Sequence, residues 1–298
     1  MRVFVIFQER EKSKISEDLN IIESIINYNF KNIESIIVFV DNSNEYVQRS
    51  NKIDSNIYMI SADDENWEFS AYDEGYRWII DNFKVEADDI FLVANETNNR
   101  EYNQKYLKFF KNKKIIKWVN DDKVVGFVGE NIKPIKILDM YVKKYVATHL
   151  FFLNYKILKE IIPFSITVSN KDIFSNDYND FFKKTAPLDK SFIEGIEARV
   201  FGWKNNHNVF GFYHQAQPLT LENFDFFKGK VRSIICEYYI GAKIENQNIK
   251  LVNLKNLRLF RKTIKPLLKY KIVKNFILLL VRKGYIKTLL RTSKINIE

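Results

Sequence analysis

The sequence predicts an α/β protein in which a largely parallel sheet is flanked by helices and followed by a basic helical tail. Three observations carry this expectation. Apolar runs of strand length alternate with longer runs of helical period through the first half of the chain. The polar residues of that half gather where the strands end. The charge is divided as well: residues 251–298 hold thirteen lysines and arginines against one acid, a net +12, while the first 250 residues stand at −2.

Taken in order, Arg2–Gln8 reads as a strand because five consecutive apolar residues are bounded by polar ones. Ser16–Tyr28 reads as a helix, with Leu19, Ile22, Ile25 and Ile26 near helical spacing. Ile36–Val40 is a second strand, stopped by the turn-forming cluster Asp41-Asn42-Ser43-Asn44. Ile57–Ile60 is a third, followed by the acidic loop Asp63-Asp64-Glu65-Asn66, and Trp67–Phe83 is the next helix. Asp89–Ala94 is a fourth strand ending in Asn95-Glu96-Thr97. Beyond it the pattern loosens. Lys123–Val128 is a short strand, Ala147–Leu153 an apolar aromatic run, and Lys156–Ile162 a helix stopped by Pro163. Residues 164–190 read as a mobile loop region, Ser191–Phe201 as a helix and Val209–His214 as a strand. Helices are expected around Leu254–Tyr270 and Ile272–Thr292, so the chain divides into a catalytic-sized body, 1–246, and a tail, 247–298.

Several functions are excluded by counting. With 298 residues, 46% of them hydrophobic, the chain has ample material for a core. Its nine glycines never stand two apart, so neither a G-x-G-x-x-G loop nor a Walker A loop exists. Cys236 alone cannot form an internal disulfide or a multi-cysteine metal site, and it fits a reducing compartment. It is also a poor nucleophile, since no nearby motif offers an activating base. The three histidines form no H-E-x-x-H pair, and no G-x-S-x-G elbow is present. Neither a signal peptide nor a membrane-spanning helix is expected.

In open α/β sheets ligands bind outside the carboxyl ends of the strands. Here those ends carry Gln8-Glu9, Asp41-Asn42-Ser43, the loop from Asp63 to Asn66, and Asn95-Glu96-Thr97, which together make one polar crevice. Taken alone, Asp41-Asn42-Ser43 is also what an ordinary strand-ending turn looks like, and Trp67, Phe69 and Tyr72 suit a core as well as a platform.

A strand running into Asp41-Asn42-Ser43 resembles the nucleotide-contacting end of the second strand in GT-A glycosyltransferases, especially those that build bacterial surface polysaccharides, lipopolysaccharide and capsule. The segment Asn66–Gly75, N-W-E-F-S-A-Y-D-E-G, is similar to that family's N-x-G-F-x-x-A-x-N-x-G helix start. Trp67-Glu68 stands at the family's glycine, and the spacing to Gly75 is one residue short. Asn95-Glu96-Thr97 falls where the family keeps a D-x-D or N-x-D-T metal motif, with Glu96 its one carboxylate. The resemblance covers about residues 1–160. It implies a GT-A-like, Rossmann-like mixed sheet that binds a nucleotide-sugar, a UDP-sugar first, through Gln8, Glu9, Asp41, Asn42, Ser43, Asn66, Asn95 and Thr97. Asp73 would touch the sugar, and Glu96 with His214 would hold a divalent Mn or Mg ion, unless Glu96 bonds sugar hydroxyls instead. Glu194 and Glu197, three apart on one helical face, suit a general base that takes the proton of the acceptor hydroxyl, although a solvated helix with Arg199 as ion-pair partner explains them equally.

The tail interleaves cations such as Lys255, Arg258, Arg261, Lys262 and Lys265 with Leu254, Leu257, Leu259 and Phe260. That pattern suits the surface of an anionic membrane, placing the protein in the cytoplasm, peripheral on the inner face of the membrane, near a glycan or lipid-linked acceptor. Nucleic acid is not expected as a partner, because the body is slightly acidic and carries no such motif. The alternative from another class is a non-catalytic nucleic-acid-binding or membrane-scaffold protein with an α/β body.

Overall fold

A strand that is apolar on both faces needs cover on both. The run β1 (Val3–Gln8) is buried at every residue and becomes the centre of the sheet. The computed structural model describes residues 1–43, 51–97, 107–177, 179–201 and 217–255. In it β1 is followed by α1 (Ile15–Asn29), β2 (Ser35–Asp41), β3 (Asn51–Asp54), β4 (Ile57–Ser61), α2 (Glu68–Asn82) and β5 (Ile90–Asn95). Then come α3 (Ile115–Asn120), β6 (Lys123–Ile137), β7 (Met140–Asn154), α4 (Tyr155–Ile161), α5 (Lys190–Ile196), α6 (Phe224–Asn246) and β8 (Lys250–Asn253). The protein is thus α/β, with one eight-stranded mixed sheet in the order β3-β4-β2-β1-β5-β7-β6-β8.

Strand alternation sorts the core into two layers. Phe4, Ile6, Val38, Val40, Phe91 and Val93 share one layer with Phe69 and Tyr72 of α2 and Phe227 and Val231 of α6. Val5, Phe7, Phe39 and Leu92 share the other with Ile22 and Ile25 of α1 and Ile115 of α3. The helix α2 lies so close to β1 that a Cβ on Gly75 would come within 2.5 Å of the Ile6 Cγ2. Any larger residue there would push the helix off the central strand.

The chain winds β1, β2, β4 outward to one side, and β5 then returns to the other side of β1, in each case through parallel pairs. The winding direction therefore reverses between β1 and β5, the place where an open sheet leaves a crevice beyond its carboxyl ends. Gln8 pairs with Val40 on one side and with Asn95 on the other, so the three strands end level.

The second half departs from expectation. The short strand at Lys123–Val128 continues to Ile137, and the aromatic run is the second half of β7, antiparallel to both β5 and β6. The outer part of β6 is mostly exposed and mixes polar residues with Ile132, Pro134 and Ile135 without a clean alternation, so hydropathy alone hides it. The helix α6, 23 residues long, was not expected: its apolar residues recur at helical spacing, but Gly229, Gly241 and many β-branched and aromatic residues lower its intrinsic propensity. Residues 164–190 are irregular, yet Phe164, Ile166, Ile173, Phe174, Phe181 and Phe182 are buried, so this stretch is packed rather than loose. The helix expected at Ser191–Phe201 ends at Ile196 and passes into a π-helical turn, Glu197–Phe201. The helix α6 ends at Asn246, and β8 beyond it pairs with β6 and buries Val252, with Leu254 buried just after. The expected strand Val209–His214 lies outside the described residues, as do the tail helices beyond Lys255. Among the described residues no helix is long and apolar enough to cross a membrane.

Candidate functional site

The level ends of β1, β2 and β5 bring the sequence's polar clusters to one place. As β1 ends, the Glu9 N–H donates to the Val40 carbonyl at 3.0 Å, and the Glu96 N–H donates to the Gln8 carbonyl at 3.1 Å. Asp41 and Glu96, 55 positions apart, therefore flank the same strand end.

Asn42 is the knot of this region. Its Oδ1 accepts from Gln8 Nε2 at 3.0 Å and from Arg10 Nε at 3.4 Å. Its Nδ2 donates to Asp64 Oδ1 at 3.1 Å and to the Trp67 carbonyl at 2.9 Å. A carboxamide has two donor hydrogens and two acceptor lone pairs, so Asn42 is fully used in holding β1, β2 and the loop before α2 together. Asp41 Oδ1 accepts from both the backbone N–H and the hydroxyl of Ser43, a turn that closes the strand. Thr97 donates its N–H to Asn95 Oδ1 at 3.2 Å.

Arg10, not among the expected site residues, stands beside these strand ends with its side chain 33% exposed. It forms an ion pair with Asp64, lies over the Trp67 ring at 5.3 Å, and donates its backbone N–H to Glu96 Oε2 at 3.1 Å. Trp67 adopts φ 52° and ψ −130°, a left-handed conformation that glycine takes more easily and that costs a bulky residue of order 1–3 kcal/mol. Its indole rests against α6 where a Cβ on Gly229 would come within 2.3 Å of Nε1, so only glycine admits the ring.

Below Arg10 a group of carboxylates converges on Tyr72. The Tyr72 hydroxyl donates to the Thr148 carbonyl at 3.0 Å and bonds Asn95. Burial, then the neighbouring Glu68, Glu237 and Glu96 carboxylates, push its phenol well above the ordinary range. Glu68, at the first turn of α2, accepts from the Ser233 hydroxyl at 2.9 Å, and burial raises its proton affinity. Glu237 on α6 accepts from the Thr148 N–H at 3.2 Å and the Thr148 hydroxyl at 3.1 Å, both on Oε2. Burial, against those two bonds, lifts its carboxyl to about 7. Glu9 is likewise lifted to about 7, first by burial and next by Asp18 of α1. A carboxyl poised near neutrality exchanges a proton readily at working pH, which is the property a general acid or base needs.

Other expected site residues sit elsewhere. Asn66 Oδ1 accepts from Arg232 Nε at 2.6 Å, joining the loop before α2 to α6. Asp73 accepts the N–H groups of Phe164 at 2.6 Å and Ser165 at 2.9 Å together with the Ser165 hydroxyl, and so anchors the loop after α4. Glu194 is 63% exposed and lies 3.7 Å from Lys190 one helical turn away. Glu197 lies in the π-helical turn. His214 lies outside the described residues. Of the two expected metal ligands only Glu96 is described, and one of its oxygens accepts from the Arg10 N–H. Among the described residues no group of three or more His, Cys, Asp or Glu side chains is arranged to hold a metal ion. Glu68 and Glu237 were within reach of sequence reasoning only through the helix α6, which places them together.

No protein-family model matches the chain, and no curated protein matches it.

Proposed function

We propose that the chain is a GT-A-like glycosyltransferase that moves a sugar from a nucleotide-sugar donor, a UDP-sugar first, to a glycan or lipid-linked acceptor in bacterial cell-surface polysaccharide synthesis, at the inner face of the cytoplasmic membrane. The observation that carries this reading is the group of side chains beside the reversal point of the sheet, where Arg10 pairs with Asp64 and Glu68 feels the charge of Arg10 on one side and of Glu237, a carboxyl held near neutrality by burial, on the other. Transfer between oxygens requires both. The bond from the anomeric carbon to the donor phosphate breaks, the bond to the acceptor oxygen forms, and the acceptor proton must leave. Arg10 is suited to offset the charge that grows on the departing diphosphate. Glu237 is suited to receive the acceptor proton, in preference to Glu194, which faces solvent, or Asp73, whose oxygens are engaged by the loop at 164–165. Glu96 would hold a divalent Mn or Mg ion, which would supply further charge to offset the diphosphate.

The test is release of nucleoside diphosphate from a panel of UDP-, GDP- and CMP-sugars by the full chain, with and without chelator. The reading expects release from one nucleotide class and suppression by Arg10→Met. Release from none of the donors, with or without added acceptor glycan, would contradict it.

A further inference from the structure

A second concave site lies away from the crevice, between α3, the start of β6, the end of α6 and β8, with a volume of about 690 Å³. Its floor is apolar, built from Trp118, Ile249, Leu251 and Val252. Its rim is cationic, with Lys114, Lys117, Lys123, Lys144 and Lys250. Two carboxylates share it, and both are occupied. Asp121 accepts from Lys123 Nζ at 2.9 Å, while Glu245 takes the backbone N–H groups of Lys143 and Lys144 at 2.6 and 3.0 Å. Lys144 also lies 3.7 Å from Glu130. Lys114, Lys117 and Lys250 are exposed and have no carboxylate partner among the described residues.

Three cations left over around an apolar floor recognise a phosphate attached to something greasy. The chain's own continuation is an unsuitable occupant: residues 256–298 carry twelve lysines and arginines against Glu298, and like charge would repel them from this rim. The described residues end at Lys255, shortly after β8, which forms one wall of the cavity. In sequence, the basic stretch 256–298 thus follows closely on a wall of the cavity.

We infer that this cavity is a docking site for the phosphate headgroup of an anionic phospholipid, built into the folded body and acting beside the basic tail on one membrane surface. The glycerol and upper acyl region meets Trp118 and Leu251, while Lys114, Lys117 and Lys250 surround the phosphate. The inference does not rest on sugar transfer, and a chain that binds no nucleotide would still carry the site.

The experiment measures sedimentation of the full chain with vesicles of phosphatidylcholine alone or mixed with phosphatidylglycerol, at about physiological salt. Each lysine near an anionic surface strengthens binding roughly fivefold. Changing Lys114, Lys117 and Lys250 together to Gln should weaken binding to the phosphatidylglycerol vesicles by tenfold or more. A matched triple that removes the same charge from the exposed Lys52, Lys171 and Lys184 should cost less than threefold. All six side chains are exposed, so both variants are expected to fold, which circular dichroism checks. Equal losses in the two triples would reduce the effect to net charge and overturn the inference. So would a larger loss for a single-stranded RNA oligomer than for vesicles, which would assign the cavity to nucleic acid.

Discussion

Glu237 carries the sharpest consequences at the residue scale. Its carboxyl is raised from 4.5 to about 7 in the folded protein, chiefly by burial, so the folded state holds a proton that the unfolded chain gives up. Stability from this group is complete below about pH 4.5 and falls as pH rises towards and through 7. Glu9, raised to about 7 by burial and Asp18, acts in the same direction. The melting temperature should therefore drop between pH 5 and 8, and Glu237→Gln should flatten part of that slope. A melting temperature that rises over the same interval in the wild type would contradict both assignments. For activity the sign is opposite: a base must be deprotonated, so kcat should climb through about pH 7. Glu237→Gln should lower kcat by roughly 10²–10⁴-fold with donor binding nearly unchanged. A kcat within a few-fold of wild type would return the role of base to Glu194 or Glu197.

At the scale of elements, α6 matters most, because it binds the loop after α4, supplies Glu237 and receives Trp67. Arg232, only 1% exposed, donates to the Val168 and Ile166 carbonyls at 2.8 and 3.0 Å and to Asn170 and Asn66 side chains. Arg232→Met would keep much of the volume and strand these acceptors. Losing several buried partners at once should cost on the order of 3 kcal/mol by urea unfolding. A loss under 1 kcal/mol would show that the loop is held by its buried phenylalanines instead. The same helix marks where the sequence stopped being legible. The strands β1, β2, β4 and β5 and the helices α1 and α2 were read to within about two residues, because their apolar runs are bounded by clean polar turns. The helix α6 repeats Phe224, Phe227, Val231, Ile235, Tyr238 and Ala242 along one face, a helical spacing present in the sequence but masked by two glycines whose purpose is close approach. In the site, strand ends were legible as polar clusters. Which side chains bond one another was not: nothing in Asn42 or Asp73 alone says that one ties the strand ends together and the other anchors a loop.

Across the whole molecule, β8 is the last described element of the sheet. Val252 and Leu254 are buried at 4% and 2% exposure, and burying such side chains is worth about 1.5–3 kcal/mol each. Removing residues 256–298 should leave the unfolding midpoint close to that of the full chain, whereas removing 247–298 should lower stability by several kcal/mol. Equal stability of the two truncations would place β8 outside the cooperative unit. The shorter deletion should also weaken binding to anionic vesicles while a component assigned to the lysine-rimmed cavity persists, and both parts should diminish with added salt.

Sugar transfer of the proposed kind requires a nucleotide bound at the reversal between β1 and β5. Isothermal titration of the full chain with UDP, GDP and CMP, each against inorganic diphosphate, tests it most directly. One nucleotide should bind at least tenfold more tightly than diphosphate, and Arg10→Met should weaken it by about tenfold or more. If all three nucleotides bind no better than diphosphate, or if Arg10→Met leaves the preferred one unchanged, the crevice is not a nucleotide site.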